Sequence, residues 1–74
     1  MPHVIVKMKT GRTPEQKAGL SEKIREAVVQ TLGTPEALVS VSVEDYEPGD
    51  WPRVYEEEIT NKPDTLFIKP DYLP

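Results

Sequence analysis

The chain has 74 residues, 36% of them hydrophobic and 30% charged, with a net charge of −4, which fits one small globular domain spanning residues 1–74. It has no cysteine, so a disulfide framework and a thiolate metal site are excluded and a reducing, cytoplasmic setting is expected. Acidic stretches from Glu44 to Asp50 and from Glu56 to Glu58 oppose a phosphate backbone, and runs such as Val4-Ile5-Val6 are too short to span a bilayer, so neither nucleic acid nor membrane is an expected partner.

The first element is a strand. From His3 to Met8 the residues alternate, with Val4, Val6 and Met8 on one face and His3, Ile5 and Lys7 on the other. Lys9-Thr10-Gly11-Arg12 forms a turn, and Thr13-Pro14-Glu15-Gln16 supplies a capping hydroxyl, a proline for the first helical position and a capping-box glutamine. The spacing predicts a helix from Pro14 to Leu32, with Leu20, Ile24, Ala27, Val28 and Thr31 in one stripe and Gly33 ending it. A further turn at Thr34-Pro35-Glu36-Ala37 leads into Val39-Ser40-Val41-Ser42-Val43-Glu44, a strand with three valines on one face.

Strand, helix and strand in this order make an α/β fold. It is a βαβ unit with parallel strands and a right-handed crossover. One helix covers one sheet face, so the face carrying Ile5 and the serines must meet a partner subunit or a ligand cavity. A chain this short hides only about 60% of its unfolded surface, which also points to a homo-oligomer. Past Asp45, the turn-rich Tyr46–Pro52 segment holds the only tryptophan, Trp51. Arg53 to Ile59 reads as a short helix with Val54 and Ile59 inward, and Thr65 to Ile68 as a brief final strand.

Few residues can carry chemistry. There is a single histidine, no serine in a nucleophile elbow and no glycine-rich phosphate loop, and no cofactor or metal site is expected. Lys7, Arg12 and Arg53 lie outside the acidic stretches and are candidates for holding a small anion. The unusual candidate is Pro2. Removal of Met1 exposes a secondary amine on a rigid ring at the start of a strand, placed for proton transfer with little loss of entropy. Desolvation and neighbouring cations push such an amine toward its neutral, basic form. A retained Met1 turns the same nitrogen into an amide without a basic lone pair.

Several stretches together are similar to the 4-oxalocrotonate tautomerase family: Pro2 opening a strand, Gly11-Arg12-Thr13 before Glu15-Gln16-Lys17, the long helix, Leu32-Gly33-Thr34-Pro35, and Val39-Ser40-Val41. Asp50-Trp51, Arg53-Val54-Tyr55, Glu58-Ile59 and Lys69-Pro70-Asp71-Tyr72 resemble its branch of short dimeric bacterial tautomerases. The resemblance implies a homodimer whose four-stranded sheet carries both helices on one face, with the amino-terminal prolines in pockets near the interface. It also implies keto–enol isomerisation of a small carboxylate substrate, with Pro2 as the catalytic acid and base and Arg12 as a bidentate carboxylate clamp.

Two positions depart from the family pattern. The second arginine of the family falls on Ser40, which offers one hydrogen bond and no charge, so Arg53 or Lys7 is the expected compensating cation and the substrate is expected to carry one carboxylate. The pocket aromatic falls on Trp51, which serves either to keep the pocket dry or to anchor a loop. His3 reads as a packing or surface residue, and the hydroxyls of Tyr46, Tyr55 and Tyr72 cannot be ranked from sequence. Water addition to an activated alkene, dehalogenation, decarboxylation and a non-enzymatic binding or assembly role remain the alternatives.

Overall fold

The computed structural model describes residues 1–74. In it, β1 (His3–Lys9) and β2 (Ser40–Tyr46) pair in parallel, joined by α1 (Pro14–Leu32). The register runs from His3 opposite Ser40 to Lys9 opposite Tyr46. Strand alternation therefore puts Val4, Val6 and Met8 on the same face as Val41, Val43 and Asp45. α1 covers that face over β2, where Lys17 pairs with Asp45 and Ser21 and Arg25 meet Val39 and Val41.

The helix starts where its capping residues require. The Gln16 backbone N–H donates to the Thr13 hydroxyl at 3.1 Å, and the Thr13 N–H donates to the Gln16 side-chain oxygen at 2.9 Å. Together these bonds satisfy donors that the first helical turn leaves open. At the other end Gly33 adopts a φ of 69° and its N–H donates to the Val29 carbonyl, a left-handed cap that glycine takes without a Cβ clash.

The inward stripe of α1 is rotated from the expected one. Lys17, Ser21, Ile24, Arg25, Val28 and Val29 are half-buried, whereas Leu20, Ala27 and Thr31 are exposed. The cause is the narrow sheet. With only two strands below it, α1 seats one flank on β2 and leaves its other apolar flank uncovered.

After a single 3-10 turn at Glu36–Leu38, β2 begins at Ser40, one residue later than the pattern of valines suggests. A second 3-10 turn, Pro48–Asp50, leads into α2 (Trp51–Tyr55), which widens into a π-type turn over Glu56–Thr60. Val54 is inward as expected, at 3% exposure, and with Tyr55 at 8% it is one of two buried residues.

The expected final strand over Thr65–Ile68 does not form. The segment runs through turns, and Phe67 and Ile68 are almost completely exposed. The sheet holds only β1 and β2, and the segment pairs with the free edge of neither. Pro63 and Pro70 bracket it and donate no hydrogen bonds. No helix is long and apolar enough to cross a membrane.

Thr13→Ala removes the capping acceptor and is expected to lower folding stability by about 1 kcal/mol, seen as a lower denaturation midpoint with the fold retained. A midpoint equal to that of the unmodified chain would show that the cap carries no net stability.

Candidate active site

β1 spans seven residues. At about 3.3 Å per residue it separates its two ends by roughly 20 Å. The residues singled out above divide between those ends, with Pro2 and Ser40 at the start of the strand and Arg12 and Trp51 near its finish.

At the start, the Ser40 N–H donates to the Pro2 carbonyl at 3.2 Å, which ties the candidate proline to the head of β2. The ring of His3 is hydrogen-bonded to the Ser40 hydroxyl, Nδ1 to Oγ, at 2.6 Å. Neither side chain is buried. This pairing escapes a reading of each strand alone, because it depends on the parallel register that puts His3 opposite Ser40 on a common face. Met1, by contrast, is 92% exposed.

At the finish, the Thr10 N–H donates to the Tyr46 carbonyl at 3.0 Å, and Gly11 turns the chain with a φ of 126°, a backbone angle that suits glycine. That turn delivers Arg12 to an open groove of about 320 Å³, lined by Lys7, Met8, Lys9, Arg12, Trp51 and Tyr72. Lys9 and Arg12 form no ion pair. One wall of the groove is held from the far end of the chain. The Trp51 Nε1–H donates to the Tyr72 hydroxyl at 2.9 Å, and the Tyr55 hydroxyl donates to the Tyr72 carbonyl at 2.9 Å. The rings of Tyr55 and Tyr72 meet edge to face at 5.5 Å.

Lys7 stands between this groove and a second one that it shares with Ile5, Trp51, Val54 and Ile59. Its ammonium lies 2.5 Å from Glu58 and 4.0 Å from Glu44, and 5.8 Å from the centre of the Tyr46 ring. The hydrogen bond to Glu58 raises the Lys7 pKa from its ordinary 10.5. Glu58 accepts from both Lys62 and Lys7, and these bonds lower its pKa from 4.5 to about 2.

The structure thus brings Arg12, Trp51 and Lys7 together. It leaves Arg53 on the solvent side of α2, where Nη1 lies 3.7 Å from Glu57. Pro2 and Ser40 line neither groove of their own subunit. No group of three or more acidic or histidine side chains converges as a metal site would require.

A family model described as "Tautomerase enzyme" matches residues 2–54, a stretch that includes Pro2, Arg12, Ser40, Trp51 and Arg53. The chain belongs to the tautomerase family. It is an isomerase of the keto–enol tautomerase kind. Among its relatives, the tautomerase PptA of Klebsiella pneumoniae (strain 342) is 37% identical over 73 residues, covering 97% of each chain. The 2-hydroxymuconate tautomerase of Bacillus subtilis is 51% identical over 45 residues, 61% of this chain and 73% of that protein.

Two solved homologues of 4-oxalocrotonate tautomerase share this fold. TomN, a 4-oxalocrotonate tautomerase homologue of the tomaymycin biosynthetic pathway, superposes with a TM-score of 0.66 at 40% identity, covering 68% of this chain and 77% of its own. YwhB, another homologue, superposes at 0.61 with 48% identity, covering 62% of this chain and 75% of its own.

The clamp on Glu58 gives this tautomerase a defined acid response. A carboxylate whose folded pKa is depressed contributes stability above its ordinary value and loses that contribution as pH falls through the folded one. On the acid side the Lys7–Glu58–Lys62 pairing is therefore expected to hold above pH 4.5 and to weaken as pH falls toward about 2. Carboxyl carbon shifts of Glu58 followed by NMR should titrate near 2, and Lys62→Met should move the midpoint toward 4.5. A midpoint already at 4.5 in the unmodified chain would show that the pairing is absent in solution.

Proposed function

We propose that this tautomerase interconverts the enol and keto forms of a small 2-oxo carboxylic acid, with the Pro2 amine carrying the proton. The observation that supports the reading best is the groove at the end of β1, where the unpaired Arg12 and Lys9 face the indole of Trp51. A guanidinium fork of this kind holds a carboxylate by two parallel hydrogen bonds. The indole excludes water beside it and strengthens those bonds. Removal of the exposed Met1 frees the proline nitrogen. In its neutral form that nitrogen accepts the proton of the enol hydroxyl, and as the ammonium it returns a proton to the adjacent carbon, leaving the ketone. Arg12 stabilises the enolate that develops between the two transfers.

The length of β1 sets a condition on this chemistry. A small acid does not reach across about 20 Å, so Pro2 of one subunit works with the groove of another. We infer a homodimer built by joining two β1–β2 pairs into a four-stranded sheet with both helices on one face. The half-exposed Ile5 and the bare Phe67 and Ile68 provide apolar surface for that association. The enzyme acts as one domain over residues 1–74 in the cytoplasm. Water-adding chemistry on the same scaffold calls for a basic carboxylate in the groove. Glu58 beside it, clamped near a pKa of 2, is too weak a base for that role.

Intact mass and a phenylenolpyruvate ketonisation assay on one sample test the amine mechanism. Protein lacking Met1 should turn over the enol, and Pro2→Ala should lose about 100-fold or more in kcat/KM. Full activity in that variant would remove the proline from the mechanism.

Ser40 gives the substrate preference. Its hydroxyl carries no charge and is engaged by His3, so the site is suited to an acid with one carboxylate. Ser40→Arg should raise kcat/KM several-fold for a dienol dicarboxylate relative to phenylenolpyruvate. An unchanged ratio would place Ser40 away from the substrate.

A further inference from the structure

We propose that Tyr72, near the end of the chain, is a substrate-binding residue of this tautomerase, its hydroxyl donating to the same carboxylate that Arg12 holds. The inference deepens the function proposed above and rests on its choice of an acidic substrate. Three observations converge on it.

The first is position. Tyr72 lines the groove together with Arg12, Lys9 and Lys7, and is the only hydroxyl-bearing side chain among its lining residues. The second is direction. The Tyr72 oxygen already accepts the Trp51 Nε1–H at 2.9 Å, so one lone pair is engaged and the hydroxyl hydrogen is left without an acceptor in the subunit. A phenol held in this way has its proton available to a bound acid. The third is rigidity. The Tyr72 carbonyl accepts from the Tyr55 hydroxyl, and its ring stands edge to face against that of Tyr55, itself almost fully buried. The donor is therefore preorganised, with little freedom left to lose when substrate binds.

Charge favours the same occupant. Lys7 is neutralised by Glu58 and Glu44, whereas Lys9 and Arg12 have no acidic partner, so the groove keeps a net positive character in an acidic protein. An anion entering it meets two free cations and one free hydroxyl. Tyr72 lies outside the 2–54 stretch matched by the family model, so the residue comes from a part of the chain that the shared family pattern does not include.

Trp51 is the only tryptophan and sits on this wall, so its fluorescence reports occupancy directly. Benzoate serves as the probe, being a planar monocarboxylate that does not turn over. For Tyr72→Phe, which keeps the ring and removes the hydroxyl, the benzoate Kd should rise about tenfold, in line with the loss of one hydrogen bond to a charged group. In the same variant KM for phenylenolpyruvate should rise by a similar factor with kcat within about twofold. Arg12→Ala should abolish the fluorescence response.

An unchanged Kd in Tyr72→Phe, or a fall in kcat with KM unchanged, overturns the proposal. If benzoate binding depends on Tyr72 and Arg12 while the enol is not turned over, the binding role of Tyr72 stands and the proposed reaction fails. If turnover depends on Pro2 while benzoate binding ignores Tyr72, the reaction stands and this inference fails.

Discussion

Parallel pairing of β1 with β2 is the constraint on which the rest of this small protein depends. Two parallel strands cannot be joined by a tight hairpin, so the chain must cross over through α1. That crossover covers one face of the sheet and leaves the other open. The pairing also decides which side chains share a face. It puts His3 beside Ser40 at one end, and Lys7 beside Glu44 and Tyr46 at the other. The Pro2 end of the strand and the cationic groove thereby lie about 20 Å apart.

The same geometry explains why so little of the subunit is buried. Val54 and Tyr55 alone are buried, and both belong to α2 rather than to the sheet or to α1. A two-stranded sheet under a single helix offers too little apolar area to close a core, and a chain of this length is marginally stable on its own. The uncovered flank of α1, the Ile5 face and the bare Phe67 and Ile68 are consequences of that shortage. If Pro2 and Arg12 act as proposed, from opposite ends of one strand, association would serve stability and chemistry together.

Electrostatics sorts the cations by role. Arg53 and Lys62 meet glutamates on the C-terminal helical segment, while from α1 Lys17 reaches Asp45 of β2 and Arg25 meets Glu22, so each belongs to a locally neutral pair. Exposed pairs of this kind add little stability, about 1 kcal/mol or less each. Their effect is to leave Arg12 and Lys9 as the cations free to meet an anion in the groove. The left-handed turn at Gly11 is what presents Arg12 there.

Local rules made much of the fold legible in the sequence. Thr13, Pro14 and Gln16 mark the start of α1 and Gly33 its end, because capping hydrogen bonds and left-handed backbone involve only neighbours in the chain. The valine alternation revealed β2 for the same reason, and the pattern from Pro2 through Trp51 carried the family. The rotated stripe of α1, the missing strand at Thr65–Ile68, the His3–Ser40 bond and the position of Tyr72 were beyond such rules. Each depends on which distant element lies alongside: a sheet of two strands rather than more, a register between β1 and β2, a hydrogen bond from Trp51 to Tyr72 across 21 residues. Composition and spacing determined that this is a small βαβ unit with Pro2 ahead of its first strand and a net acidic charge. Only the tertiary structure decided which cations remain unpaired and which tyrosine joins them, because pairing is settled by contacts that close after the elements have formed.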